Sequence, residues 1–395
     1  MWRIRRAGEP KKSFPILALI AASLVFIAAG FVTKVAVGFD GAPELPAPRT
    51  TLPLLAPVPL MTTSMPQPWV SLEFVFADPE SGTADVAPDS SLEIGFSVPL
   101  SNASPLPTLS PLVSGAWRQL RPGVLTFSPS VSFVPYTTEV VTVPGGPEGI
   151  LGAKGQTLRT GQKISFTVAA GSIARLQQLL AQLGYLPLNF VPQSSSGTSP
   201  VQMAMAQPGS YSWRWPTLPA SLTSIWTPGE LDILTKGAIM RFEDQMGLPT
   251  DGVAGPLVWS RLLAAADAGT ADPAPYDYVV VSTALPQKVI VYENGVDVME
   301  TLANTGVAAA PTVKGTFPVY LRYRSTTMAG INPDGTHYND PGVPWVSYFN
   351  GGQGLHGFVR PGYGYPQSVG CVEMPVEASA EVWPLTPIGT LVTVL

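Results

Sequence analysis

The stretch GLHGFVRPGYGYPQSVGCVEM, residues 354–374, decides how the rest of the chain is read. It holds the only cysteine of 395 residues, Cys371, and one of only two histidines, His356. A thiolate nucleophile and an imidazole base are the minimum equipment for acyl transfer through a thioester. Gly357 and Gly370 flank them, and a residue without a Cβ lets backbone approach a reacting carbonyl closely. The competing reading is a cysteine that merely packs, since free Cys is among the most buried residue types.

Around this stretch the chain reads as β. YVVVS (278–282), KVIVYENG (288–295), VDVMETLANTG (296–306) and GTLVTVL (389–395) alternate or run apolar, and Asn294-Gly295 between two of them signals a type I′ hairpin. A predominantly β domain over 276–395 is expected, carrying the Cys–His stretch on loops and strand ends. NPDGTHYND (332–340) reads as a turn-rich loop near the site. His337 there is either a substrate contact or a solvated loop histidine, and Tyr338 is a candidate lid residue.

Upstream, 171–268 carries helical periods. Ile173, Leu176, Leu179, Leu180 and Leu183 share one face, with Gly184 as a stop. Thr227-Pro228-Gly229-Glu230 reads as a capping box for a second helix with Leu231, Leu234, Ala238 and Phe242 on its stripe, ended by Gly247. Gly255-Pro256 opens a third helix with Leu257, Trp259, Leu262 and Leu263. Residues 193–226, rich in Ser and Trp, show no period. Residues 69–170 hold short alternating runs (VSLEFVF, SLEIGFSV, VLTFSP, TTEVVTV, KISFTV) separated by turn clusters, the pattern of an antiparallel β-sandwich.

The N-terminus sets the expected location. Residues 13–33 are an uncharged apolar run of 21 residues, about 30 Å as a helix, which matches one bilayer core. Arg3, Arg5, Arg6, Lys11 and Lys12 precede it, so the tail (1–12) is expected inside, 13–35 in the membrane as a signal anchor, and the remainder outside. The alternative is a signal peptide, cleaved to release a secreted protein. Residues 36–68 are proline-rich and read as an extended spacer.

Composition excludes several classes. With 12% charged residues and a net charge of -5, nucleic acid is not the expected partner. One cysteine cannot form an intrachain disulfide. No His/Cys/Asp cluster has zinc spacing and no glycine-rich phosphate loop follows a strand, so neither metal nor other cofactor is implied.

Three resemblances organise these pieces into a mainly β, multidomain chain. PLVSGAW (111–117), LTFSP and KISFTV resemble bacterial immunoglobulin-like domains, implying a stalk or a binding module. ARLQQLLAQLGYL (174–186) and AIMRFEDQMGLPTDGVAGPLVWSRLL (238–263) resemble the peptidoglycan-binding domain type 1, a three-helix module, here interrupted by the 193–226 insertion. KVIVYENG, TGVAAAPTVKGTFPVYLR (305–322), PWVSYFNGGQGLHG (344–357) and SVGCVEM (368–374) resemble, in order, the YkuD-type L,D-transpeptidase catalytic domain.

That last resemblance implies roles. Cys371 would be the nucleophile and His356 the base, oriented by the Gly357 carbonyl. Backbone N–H groups of Val369, Gly370 and Cys371 would form the oxyanion hole, with Ser368 bracing the turn. It implies an enzyme that cross-links peptidoglycan stem peptides, with glycan and stem peptides as partners; with the apolar N-terminal run, the expectation is a membrane-anchored envelope enzyme. Water as acceptor would make it an L,D-carboxypeptidase instead, and a degenerate site would make it a non-catalytic wall-binding protein. The sequence departs from the family at Val369, where His is usual, and at Glu373, where Arg is usual. A carboxylate at 373 raises the thiol pKa, opposite to an arginine. Arg360, in a short loop of 11 residues between His356 and Ser368, is the candidate replacement cation. Glu373, Arg360, His337 and Tyr338 are thus candidate substrate-binding residues.

Overall fold

The computed structural model describes residues 70–193 and 199–395. The expected tail, membrane-spanning run and proline spacer lie outside these residues. Among the described residues no helix is long and apolar enough to cross a membrane.

Eight strands come first: β1 (Phe74–Asp78), β2 (Thr83–Val86), β3 (Leu92–Phe96), β4 (Thr108–Ser110), β5 (Gly115–Arg121), β6 (Val124–Pro129), β7 (Thr138–Val143) and β8 (Gln162–Val168). They form two four-stranded sheets, β1-β3-β6-β5 and β2-β8-β7-β4. Alternate residues of both (Leu92, Ile94, Leu125, Phe127, Val141, Ile164, Phe166) meet in one core, the sandwich expected from period-2 patterning. It is not wholly antiparallel, because β2 lies parallel to β8. The exposed strand β5 left no alternating run to read.

The helical part follows with α1 (Ile173–Gln182), the hairpin β9 (Leu188–Pro192) and β10 (Gly209–Trp213), a single turn α2 (Ala220–Thr223), α3 (Ile233–Gln245) and α4 (Pro256–Ala268). Ser172 caps α1 through Arg175 N–H at 3.1 Å, and Gly184 follows its end with φ +85°. The expected capping box at Thr227 is a turn instead. Gly229 has φ +81°, and the N-cap is Asp232, which accepts from Thr235 N–H at 2.7 Å and from Thr227 N–H at 2.6 Å. One carboxylate satisfies donors on both sides, so the helix starts later. Leu231 consequently lies before the helix and is 56% exposed. The insertion that showed no period contributes β10 and α2.

The C-terminal part is a two-layer β structure: β11 (Asp277–Ser282), β12 (Lys288–Glu293), β13 (Val296–Leu302), β14 (Gly315–Pro318), β15 (Leu321–Ile331), β16 (His337–Asn350), β17 (Gln353–Gly357), β18 (Val372–Met374), α5 (Val376–Val382) and β19 (Leu391–Val394). One sheet runs β13-β12-β11-β19-β14, the other β15-β16-β17-β18. The expected Asn294-Gly295 hairpin is present, both residues at positive φ. The expected loop at 332–340 is the tip of the long β15–β16 hairpin, so His337 and Tyr338 begin a strand. Helix α5 was not foreseen.

Strand β11 explains the arrangement. Its apolar run faces two cores by strand alternation. Tyr278 and Val280 join the helical core with Leu391, while Val279 and Val281 join the core between the sheets with Leu355, Val372 and Met374. A strand covered on both faces reads as an unbroken apolar run. The helices come very close at one point: a Cβ on Gly237 of α3 would lie 2.7 Å from Gly389 O and 2.8 Å from Leu391 Cδ2. Gly237→Val overpacks this contact and is expected to destabilise the protein by about 1–3 kcal/mol, read as a lowered thermal midpoint. An unchanged midpoint contradicts the shared core.

Candidate active site

Strand β17 lies antiparallel to β16 and parallel to β18, with Leu355 opposite Val372 and His356 opposite Glu373. Leu355 and Val372 point into the core, so His356 and Glu373 share the other face. Cys371 directly precedes β18 and falls on that same face, two residues from Glu373. The imidazole and the thiol therefore come from adjacent strands. The structure brings the two candidates together by register rather than by sequence proximity.

His356 is 2% exposed, and its Nδ1 lies 3.1 Å from Gly357 O. A carbonyl oxygen only accepts, so Nδ1 carries the proton and Nε2 keeps the lone pair. Burial holds the imidazole below its usual 6.5, opposed by the Gly357 bond and by Glu373. Gly357 cannot be replaced easily, because a Cβ there would meet Ser379 Oγ of α5 at 2.4 Å.

Cys371 is partly exposed, with its Sγ donating to Gly352 O at 3.6 Å. Burial pushes its thiol up to about 11; the Gly354 amide opposes this and Glu373 adds to it. At neutral pH the resting couple is a neutral thiol beside a neutral imidazole.

The turn before Cys371 is held tightly. Ser368 Oγ donates to Cys371 O at 2.5 Å and accepts from Gly370 N–H at 3.2 Å. Thr312 Oγ1 donates to Gly370 O at 2.9 Å. Gly370 has φ +115°, a conformation that favours glycine. The expected oxyanion donors are thereby narrowed. Gly370 N–H is taken by Ser368 because the turn closes on itself. The amides of Val369 and Cys371 make no hydrogen bond among the described residues.

Arg360 and Glu373 do not present free groups to a substrate, as the sequence suggested; they hold each other. Arg360 Nε donates to Glu373 Oε2 at 2.8 Å and Nη2 to Oε1 at 2.7 Å, a bidentate pair. The guanidinium also lies 4.6 Å from the Phe358 ring centre, and that ring meets His356 edge-on at 6.1 Å. The loop over them is clamped by Asn304, whose Oδ1 accepts from Gly364 N–H at 3.0 Å and whose Nδ2 donates to Gly362 O at 3.2 Å.

His337 is exposed at the start of β16. Tyr338 is different: its ring lies over Gly330, and its phenol is pushed up by burial and then by nearby Cys371. Tyr320 and Tyr348, which sequence reasoning missed, respond to burial and Cys371 in the same order. Tyr320 Oη donates to Gly351 O, and the Tyr320 and Tyr348 rings lie 6.5 Å apart. Three phenols therefore lie near enough to Cys371 for its charge to act on them. In the sequence Tyr320 and Tyr348 are irregularly spaced aromatics of apparent strand segments, with nothing to set them apart from ordinary packing residues.

No curated protein matches this chain. The catalytic domain of the E. faecium L,D-transpeptidase shares 27% identity, covering 31% of this chain and 100% of that one, with a TM-score of 0.28. L,D-transpeptidase 3 from Mycobacterium tuberculosis shares 13% identity over 82% of this chain and 98% of that one, with a TM-score of 0.28. An L,D-transpeptidase from Mycobacterium smegmatis shares 12% over 82% and 100%, with a TM-score of 0.27. The family match is to the L,D-transpeptidase catalytic domain, YkuD, across the segment that holds both sheets and the Cys371–His356 couple. Residues 276–394 are a YkuD-type L,D-transpeptidase catalytic domain.

Proposed function

We propose that the chain cross-links peptidoglycan stem peptides through a thioester on Cys371. The observation that carries this reading is the β17–β18 register, which sets Cys371 and His356 on one face of one sheet within a transpeptidase domain. His356 Nε2 takes the thiol proton as Sγ attacks a stem-peptide carbonyl carbon. The Val369 and Cys371 amides receive the developing oxyanion. The imidazolium then returns the proton to the departing amine of the terminal D-residue, leaving a thioester. An amine of a neighbouring stem attacks next, His356 takes its proton, and the new amide forms as the thiol is restored. Water in place of the amine would give a carboxypeptidase.

The other parts fit an envelope enzyme. The helical part is proposed to hold the wall polymer, the sandwich to act as an immunoglobulin-like stalk, and the apolar run at 13–33 to anchor or export the chain.

Two measurements test the site. A carbapenem is the probe, because the E. faecium catalytic domain is known acylated by ertapenem. Intact-mass spectrometry of the purified 395-residue chain is expected to show an ertapenem adduct on wild type and none on Cys371→Ala. His356→Ala is expected to slow its formation by about 10²–10⁴-fold. A folded wild type that forms no adduct points to a binding-only protein. Alkylation by iodoacetamide, followed against pH, is expected to keep rising beyond pH 9, because the thiol ionises near 11. For acylation, a base held below 6.5 stays neutral at pH 7, so the acid limb is expected below that value. A rate plateau at pH 6–7 in the alkylation series would show a preformed thiolate and contradict the neutral couple.

A further inference from the structure

Glu373 is a carboxylate in an awkward place for the proposed chemistry. It sits opposite His356 in the β17–β18 ladder and two residues from Cys371, and it is only 5% exposed. A negative charge there opposes ionisation of the thiol and strengthens the imidazole's hold on a proton. Both effects fall on the couple that must pass a proton back and forth. The groups facing that couple are Glu373 and Cys371's own strand turn on one side, Arg360 from the covering loop, Asp340 from β16, and the phenols of Tyr320, Tyr338 and Tyr348.

Only Arg360 among these carries a positive charge, and its placement is over-determined. Its fork meets Glu373 with two parallel bonds of 2.8 and 2.7 Å. Its backbone N–H donates to Tyr363 Oη at 3.2 Å, and Tyr363 Oη donates to Phe358 O at 2.6 Å. The loop is tied back to the strand by Phe358 N–H to Met374 O at 3.0 Å. Gln367 Nε2 donates to Gly362 O at 2.8 Å, closing the loop on its other side. A guanidinium so held is not free to wander to a substrate. Its geometry suits one task, a fixed counter-ion.

We propose that Arg360 is a positioning residue: its guanidinium neutralises the buried Glu373 carboxylate and so keeps the Cys371–His356 couple reactive. Arg360 acts through Glu373 and touches no reacting atom. The pair also latches the 358–367 loop over the β17–β18 face, so charge neutralisation and loop closure come from one contact. The proposal rests on Cys371 and His356 being the reacting pair, but its test reads thiol ionisation, not turnover. It can therefore succeed or fail independently of which acceptor the enzyme uses.

The experiment follows iodoacetamide alkylation of Cys371 by intact mass across pH 7–10.5, with thermal melts, on the full chain. Arg360→Gln leaves the carboxylate unpaired beside the thiol and is expected to slow alkylation at pH 9 by about tenfold, the effect of one pKa unit. Glu373→Gln is expected to speed it. The double variant Arg360→Gln/Glu373→Gln, two neutral amides able to bond each other, is expected to return the pH profile to wild type or above. A purely structural role for Arg360 would leave the double variant as slow as the single, and that result overturns the proposal. An unchanged Arg360→Gln profile overturns it too. If Arg360→Gln melts out, Glu373→Gln alone decides: faster alkylation supports the proposal, and an unchanged rate refutes it. Failure of ertapenem acylation with these shifts present would count against the proposed function and not against the pair.

Discussion

The parallel pairing of β17 with β18 is the constraint on which the site depends. Because side chains alternate along a strand, a register with Leu355 against Val372 in the core forces His356 and Glu373 onto the opposite face. A slip by one residue would bury the imidazole in the core and turn Leu355 toward the Cys371 thiol. Everything nearby defends this register. Asn304 bridges to Glu373 through backbone bonds of 2.8 and 2.9 Å, Thr312 holds Gly370 O, and Gln353 ties the start of β17 to Pro311 and Val313.

The register is defended from below as well. Strand β11 is covered on one face by the inter-sheet core and on the other by the helical core, so the two parts share a wall. Apolar burial stabilises by roughly 25 cal/mol per Å² removed from water, and β11 and β19 contribute on both faces. The helical part is therefore a buttress of the β13-β12-β11-β19-β14 sheet, on whose other face the β17–β18 sheet packs, as well as a candidate wall-binding element. Its orientation is set by the glycine contact between Gly237 and Gly389, where neither backbone leaves room for a side chain.

The candidate site was legible in the sequence because its residue types are concentrated: one cysteine, two histidines, and a glycine beside each of Cys371 and His356. Asn294-Gly295 and Gly255-Pro256 were legible because positive φ and a missing N–H leave few residue choices. Other features depend on competition that a linear reading does not expose. Thr227 resembled an N-cap until Asp232, five residues on, bonded both its N–H and that of Thr235. Arg360 was readable as a cation near the site, but its bond to Glu373 needed the loop to fold back across the strand. The nearness of three tyrosines to Cys371 was hidden because Tyr320, Tyr338 and Tyr348 converge only through a long hairpin whose tip looked like a loop.

The proposed reaction is acyl transfer from a stem peptide to an amine by a neutral thiol–imidazole couple. The most direct measurement incubates the purified chain with a disaccharide tetrapeptide ending in D-Ala and resolves the products by mass. A cross-linked dimer that has lost one terminal alanine is expected from the wild type and none from Cys371→Ala. Recovery of intact donor alone, or of tripeptide with no dimer, would contradict the proposed reaction.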